Sequence, residues 1–152
     1  MSYKYKSKPF RHQHEDFTQH GLDHAWGRWW EQGTGKTKPT IDEVAYLFET
    51  GKIDGLVVIA PNGVHRNWVS DEIPAHLPDR VQAKTRCHIW YSTDTKQHQR
   101  SFEETLGHHG LAVLVMSYNA VWTKRGCDAW KAFLKKRRCV YVLDECQRIK
   151  NP

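Results

Sequence analysis

The sequence predicts an α/β domain, a mainly parallel sheet with helices on both faces. Three observations lead there. Residues 56–60 (LVVIA), 111–116 (LAVLVM) and 140–143 (VYVL) are unbroken apolar runs. Runs without alternation mark strands buried on both faces. Helical patterns separate these runs, and alternating strands and helices give parallel sheets. Polar residues also gather where the runs stop, and ligands of such sheets bind at the carboxyl ends of strands.

Each element has its own signal. Residues 1–9 are polar and basic and read as a flexible arm. Residues 11–24 fit a helix with Phe17 and Leu22 facing inward. Residues 26–30 (WGRWW) are short and aromatic, which suits a buried strand. A glycine loop follows, then a helix over 36–50 with Ile41, Val44, Ala45, Leu47 and Phe48 apolar. Pro39 falls in its first turn, where a missing N–H costs least. Residues 51–55 read as a turn into the strand 56–60, which Pro61-Asn62-Gly63 ends. Helices are expected over 65–76, 96–106 and 128–136, and a further strand over 87–91. Trp29, Trp30, Trp122 and Trp130 read as core side chains.

The chain has 152 residues, 39% hydrophobic and 26% charged, which fits one globular domain. A net charge of +6 leans towards polyanionic partners, but a basic domain without such a partner fits equally well. Cys87, Cys127, Cys139 and Cys146 form no CxxC pair, so a zinc ribbon is not expected. Free thiols of this kind fit a reducing compartment. No apolar run is long enough for a membrane span, and residues 1–10 carry no signal-peptide pattern. His98, His108 and His109 have no acid or thiol at ligand spacing and read as polar loop residues.

Three stretches carry chemistry. Gly33-Thr34-Gly35-Lys36-Thr37 opens a helix. Glycines let backbone N–H groups turn onto phosphates, and the helix terminus adds partial positive charge. Lys36 would reach the β- and γ-phosphates, and Thr37 would hold Mg²⁺. Trp30 stands where the full phosphate-loop pattern has its first glycine. The second stretch, residues 140–145 (VYVLDE), is an apolar strand ending in two acids. Asp144 would bind Mg²⁺ and Glu145 would act as general base on water. Alone it also reads as an acidic turn; the lysine loop upstream strengthens the chemical reading. The third, residues 59–68 (IAPNGVHRNW), could hold a nucleic-acid phosphate. Taken alone it reads first as an ordinary βα connection.

Together these stretches resemble the first motor lobe of superfamily-two helicases, in the Swi/Snf-type branch of DNA translocases that includes phage-encoded relatives. Gln32-Gly33-Thr34-Gly35-Lys36-Thr37 is similar to motif I, and Ala60-Pro61-Asn62-Gly63 with Asn67-Trp68 to motif Ia. Val115-Met116-Ser117-Tyr118 is similar to motif Ib, and residues 144–151 (DECQRIKN) to motif II with its IKN tail. The family tolerates a non-glycine at the position of Trp30.

The resemblance implies a RecA-like P-loop lobe over residues 10–152, with the sequence stopping after motif II and the second lobe absent. It implies ATP and Mg²⁺ as cofactors. Lys36, Glu145 and Gln147 would be catalytic. Gln13, Gln32, Gly33, Thr34, Gly35, Lys36, Thr37 and Asp144 would bind nucleotide, with Thr37 and Asp144 on the metal. Gln13, in a stretch similar to the Q motif, would read the adenine edge; it reads also as an exposed helix residue. Asn62, Gly63, Arg66, Ser117, Tyr118 and Lys150 would contact DNA, in duplex form. Residues 135–138 (KKRR) read as a solvated helix end or a further nucleic-acid contact.

The partners implied are DNA and a second RecA-like lobe in cis or trans, which supplies an arginine to the transferred phosphoryl group. Hydrolysis by this lobe alone is expected to be very slow. The location implied is cytoplasmic in a bacterial or phage-infected cell, nuclear in a eukaryote. The competing reading is a non-catalytic DNA- or protein-binding adaptor built on the same lobe. A small nucleotide kinase fits less well, since it does not require acids of the DECQ type.

Overall fold

The computed structural model describes residues 3–31, 33–93 and 95–146. Among these, four parallel strands form one sheet: β1 (Gly55–Ala60), β2 (Thr85–Ile89), β3 (Leu111–Ser117) and β4 (Cys139–Leu143). Their order is β2-β3-β1-β4. The helices are α1 (Arg11–His20), α2 (Thr37–Glu49), α3 (Ile73–His76), α4 (Asp79–Gln82), α5 (Lys96–Leu106), α6 (Tyr118–Trp122) and α7 (Lys124–Lys136). A π-helical segment, Trp68–Glu72, leads into α3.

The expected α/β fold is the observed one, and the reason is visible in its two cores. Alternate residues of β1 and β3 face opposite layers, as a strand's period of two requires. Leu56, Val58, Leu111, Val113 and Val115 pack with Ile41 and Val44 of α2 and with Trp68, Ile73, Leu77 and Val81. Val57, Ile59, Ala112, Leu114 and Met116 pack with Trp90, Ala120, Ala129 and Phe133. Helices cover both faces, so neither face of the central strands can be polar.

Three expectations differ. Residues 26–30 form no strand; Trp26 is 46% exposed and Trp29 79% exposed. The segment is held instead by side chains. Trp26 stacks on His20 and donates its indole N–H to Asp16 Oδ1 at 2.9 Å. Arg28 forks across three acceptors on α1 and α2. Trp122, expected in the core, is 80% exposed at the end of α6. Residues 3–7, expected within a loose arm, are docked. Tyr3 donates to Asp42 Oδ1 at 3.3 Å, and Lys6 donates to Pro74 O and Asp79 Oδ1, each at 2.7 Å.

Smaller shifts have local causes. The expected helix over 65–76 is the π-helical segment followed by α3, and Pro74 sits at the start of α3, where its missing N–H is tolerated. β2 starts two residues before its expected place because it is an edge strand with Arg86 exposed, so its apolar signal is diluted. The four cysteines are free thiols. Burial pushes Cys87 up to about 11 and Cys139 up to about 12, so neither is a ready nucleophile.

His88 on β2 makes a testable contribution to stability. It is 4% exposed, and its ring lies 4.7 Å from that of His98. Burial first, then the charges of His98 and Arg86, lower it from 6.5 to about 4. The unfolded chain therefore takes up the proton first. The contribution is complete above pH 6.5 and is lost as pH falls towards 4, on the order of 2–3 kcal/mol. Urea unfolding at pH 7 and pH 5 should show this loss, and His88→Phe should flatten that part of the profile.

Candidate active site

The loop at residues 33–37 carries backbone that only certain residues adopt. Gly33 and Gly35 have φ of 81° and 74°, in the left-handed region that disfavours side chains. At Gly35 a Cβ would also lie 2.6 Å from Gln13 Nε2. The loop delivers the chain into α2, which opens at Thr37 with no side-chain cap. Its first N–H groups are therefore available to an anion.

Two elements hold the loop's shape. Gln13 is 3% exposed and bridges α1 to the loop. Its Oε1 accepts from Phe10 N at 2.9 Å, and its Nε2 donates to Gly35 O at 2.9 Å. One N–H and one lone pair of the amide remain beyond these bonds. Lys36 folds back, its Nζ donating to Trp30 O at 2.9 Å and Glu31 O at 3.0 Å. Thr34 is tied to Glu31 O at 2.7 Å.

On the other side stand the two acids. The register Ile59↔Leu143 sets the end of β4 beside the end of β1, and Asp144 N donates to Ile59 O at 2.9 Å. Glu145 has φ of 53°, a left-handed backbone on a residue with a side chain. Such conformations cost energy and cluster at functional sites. Asp144 is gripped twice. Its Oδ2 accepts from Trp68 Nε1 at 2.9 Å, and its carbonyl accepts from Tyr118 Oη at 2.7 Å. Burial first, then nearby acidic groups, push the Tyr118 hydroxyl up to about 12, which keeps it a donor.

The glycine loop and the acids meet in one cavity of about 370 Å³, lined by Gly33, Gly35, Lys36, Thr37, Asp144 and Glu145. Pro61, Val64 and Glu72 complete its wall. A larger space of about 710 Å³ continues from the same acids, between residues 21–29 and β4, where Tyr141 and Leu143 are half exposed. Sequence reasoning gave no role to Glu72. Burial first, then the charges of Asp144 and Asp71, raise its carboxyl above the usual range.

The donor set fits Mg²⁺ with a nucleotide. Among the described residues, no group of three metal-ligating side chains exists. Mg²⁺ is commonly held by one or two carboxylates plus substrate phosphates, so a hydroxyl and an acid facing a phosphate loop are sufficient protein ligands. The residues that would hold it are Thr37 and Asp144. Gln32, Gln147 and Lys150 lie outside the described residues.

The DNA candidates separate. Asn62, Gly63 and Arg66 are exposed beyond β1, and Gly63 has φ of 88°. Arg66 sits over the ring of Tyr91, 5.3 Å from its centroid. Arg125, in the first turn of α7, donates to Ser92 O at 3.1 Å, beyond the end of β2. The sequence gave no hint of Tyr91 or Arg125, whose placement comes from strand order. Ser117 is 7% exposed and its hydroxyl accepts from Ala120 N at 3.2 Å, capping α6. Tyr118 turns its hydroxyl inward to Asp144. Among the described residues, no helix is long and apolar enough to cross a membrane.

Comparison with known proteins agrees with this geometry. Residues 30–152 match the SNF2-related domain. The chain is 31% identical over 123 residues to a probable ATP-dependent DNA helicase, CHR12, of Arabidopsis thaliana. That match covers 80% of this chain and 10% of the relative, so the chain spans about a tenth of that protein. A glycine loop and an acid pair meet in one cavity on a parallel sheet, and the family match runs over residues 30–152: the chain belongs to the SNF2-related domain family.

Proposed function

We propose that this chain is the ATP-binding lobe of a DNA-dependent ATPase of the helicase-like translocase type. The observation that carries the reading is the shared cavity of Lys36 and Thr37 with Asp144 and Glu145. Residues far apart in sequence line that space together, and their types are those that phosphoryl transfer uses.

The roles follow from chemistry. Loop N–H groups at residues 33–37 and the start of α2 bind the phosphates. Lys36 leaves its two carbonyls for the terminal phosphates. Thr37 and Asp144 hold Mg²⁺, which when bound neutralises charge on the transferred group. Glu145 orients and deprotonates the attacking water. Gln147 would couple this site to neighbouring motifs. Gln13, with one donor and one acceptor already used, fixes the loop and offers its remaining pair to the adenine edge. Duplex DNA is contacted through its backbone at Asn62, Gly63 and Arg66, and by Lys150; Ser117 and Tyr118 are instead committed to capping α6 and to the carbonyl of Asp144. Tyr91 and Arg125 extend this face.

A second lobe, in the same chain or another, closes the cleft and brings the arginine that stabilises the transition state. The test is calorimetric titration of the chain with Mg-ATP, with hydrolysis measured with and without duplex DNA. Binding with slow hydrolysis is expected. DNA-stimulated turnover would mean that another copy supplies the arginine. No binding by the folded chain overturns the proposal in favour of a non-catalytic adaptor.

A further inference from the structure

Trp68 belongs to neither the glycine loop nor the acid pair, yet it reaches the metal-ligand candidate directly. Its indole N–H donates to Asp144 Oδ2 at 2.9 Å across 76 residues of sequence. The ring is 3% exposed and packed among Ile73, Leu77 and Val58. Packing therefore fixes the ring, and the ring fixes the direction of its single donor. Asp144 Oδ1 takes no hydrogen bond among the described residues, so the bond selects which oxygen stays open. An indole can donate but not accept, so the contact requires Asp144 to present an acceptor, which an ionised carboxylate always does.

The setting argues for more than satisfying a buried indole. Trp68 opens the wide π-helical segment, and such turns recur at functional sites. Glu72, four residues on, lines the same cavity as Asp144 and adds a second acid to its wall. A carboxylate with an acidic neighbour and one anchored oxygen is arranged for a cation more than for a protein partner. Groups that hydrogen-bond a metal ligand set its orientation and commonly change metal affinity by about ten- to a hundredfold when removed.

We propose that Trp68 is a positioning residue for the Mg²⁺ site, holding Asp144 in the orientation that takes the ion; this rests on the proposed function above. Trp68 acts only through Asp144.

The test separates positioning from folding. ATP binding is measured by calorimetry in Mg²⁺ and in excess chelator, for the unsubstituted chain, Trp68→Phe, and a chain with benzothienylalanine at position 68. The last fills nearly the same volume but has no N–H. In both variants the gain in ATP affinity from Mg²⁺ should fall about tenfold, with metal-free affinity unchanged. If Trp68→Phe does not fold, the isostere decides. Unaltered Mg²⁺ dependence in the isostere, or an equal loss with and without Mg²⁺, overturns the inference and leaves the proposed function standing. If the unsubstituted chain binds no nucleotide in either condition, both fall.

Discussion

Lys36→Ala is expected to weaken Mg-ATP binding at least a hundredfold, while the chain stays folded. At rest the ammonium is satisfied by Trp30 O and Glu31 O, at 2.9 and 3.0 Å. Binding exchanges these neutral acceptors for charged phosphate oxygens. Hydrogen bonds between charged groups contribute about 1.5–3 kcal/mol each. Two of them correspond to a factor of about 150 or more in affinity. The same substitution removes only two bonds to backbone at the protein surface, so a change in Tm of no more than a few degrees is expected. Calorimetry with thermal unfolding on the same samples checks both parts. A variant that binds Mg-ATP like the unsubstituted chain would remove the phosphate role of the loop. A variant that loses binding by unfolding would show it in Tm.

Comparing sequence with structure shows which signals are local. β1 and β3 were legible because a strand inside a covered parallel sheet needs apolar residues on both faces, and the run itself records that; β4 carries a similar run although it lies at the sheet edge among the described residues, with Tyr141 and Leu143 half exposed. Gly33, Gly35, Lys36 and Thr37 were legible because the turn geometry demands glycine at fixed spacing from the cation. Residues 26–30 misled because a strand and an aromatic-rich irregular segment share a composition. What distinguishes them is Arg28, whose partners lie on α1 and α2. Trp68 was legible only as part of the motif Ia likeness and Glu72 not at all, and the tie of either to Asp144 was hidden for a related reason. Their nearness to Asp144 is set by the pairing of β1 with β4, a long-range contact that the local sequence does not encode. Arg66 follows β1 and Tyr91 follows β2, with β3 between the two strands, so their meeting likewise depends on the strand order. Chemistry that depends on backbone conformation can be read locally, and chemistry that depends on strand order cannot.

Arg28→Met should cost about 3–5 kcal/mol of stability, the largest effect expected from a residue outside the cores. Arg28 Nε donates to Asp16 Oδ2 at 2.7 Å, one terminal nitrogen to Thr40 Oγ1 at 3.1 Å and the other to Glu43 Oε2 at 3.0 Å. All three charged side chains are nearly buried, at 11%, 6% and 13% exposure for Arg28, Asp16 and Glu43. Burial already raises the Glu43 carboxyl, and Arg28 is what opposes that rise. Methionine fills much of the space but leaves two buried carboxylates without their cation. That is the unfavourable way to break a buried ion pair, since the penalty is the desolvated charge left behind. In a domain whose total stability is about 5–15 kcal/mol, roughly a fifth or more would be lost. Lysine should rescue little, because one ammonium cannot reproduce a planar fork that reaches two helices. Sign and pH dependence make the cause testable. Protonating the stranded acids relieves the penalty, so the deficit of Arg28→Met should shrink as pH falls from 7 to about 5. Urea unfolding of both chains at the two pH values measures it. A deficit that stays constant would assign the loss to packing. Because Arg28 joins the segment before the glycine loop to α1 and α2, the variant should also loosen the loop that Lys36 closes. Mg-ATP binding should then weaken at temperatures where the chain is still folded.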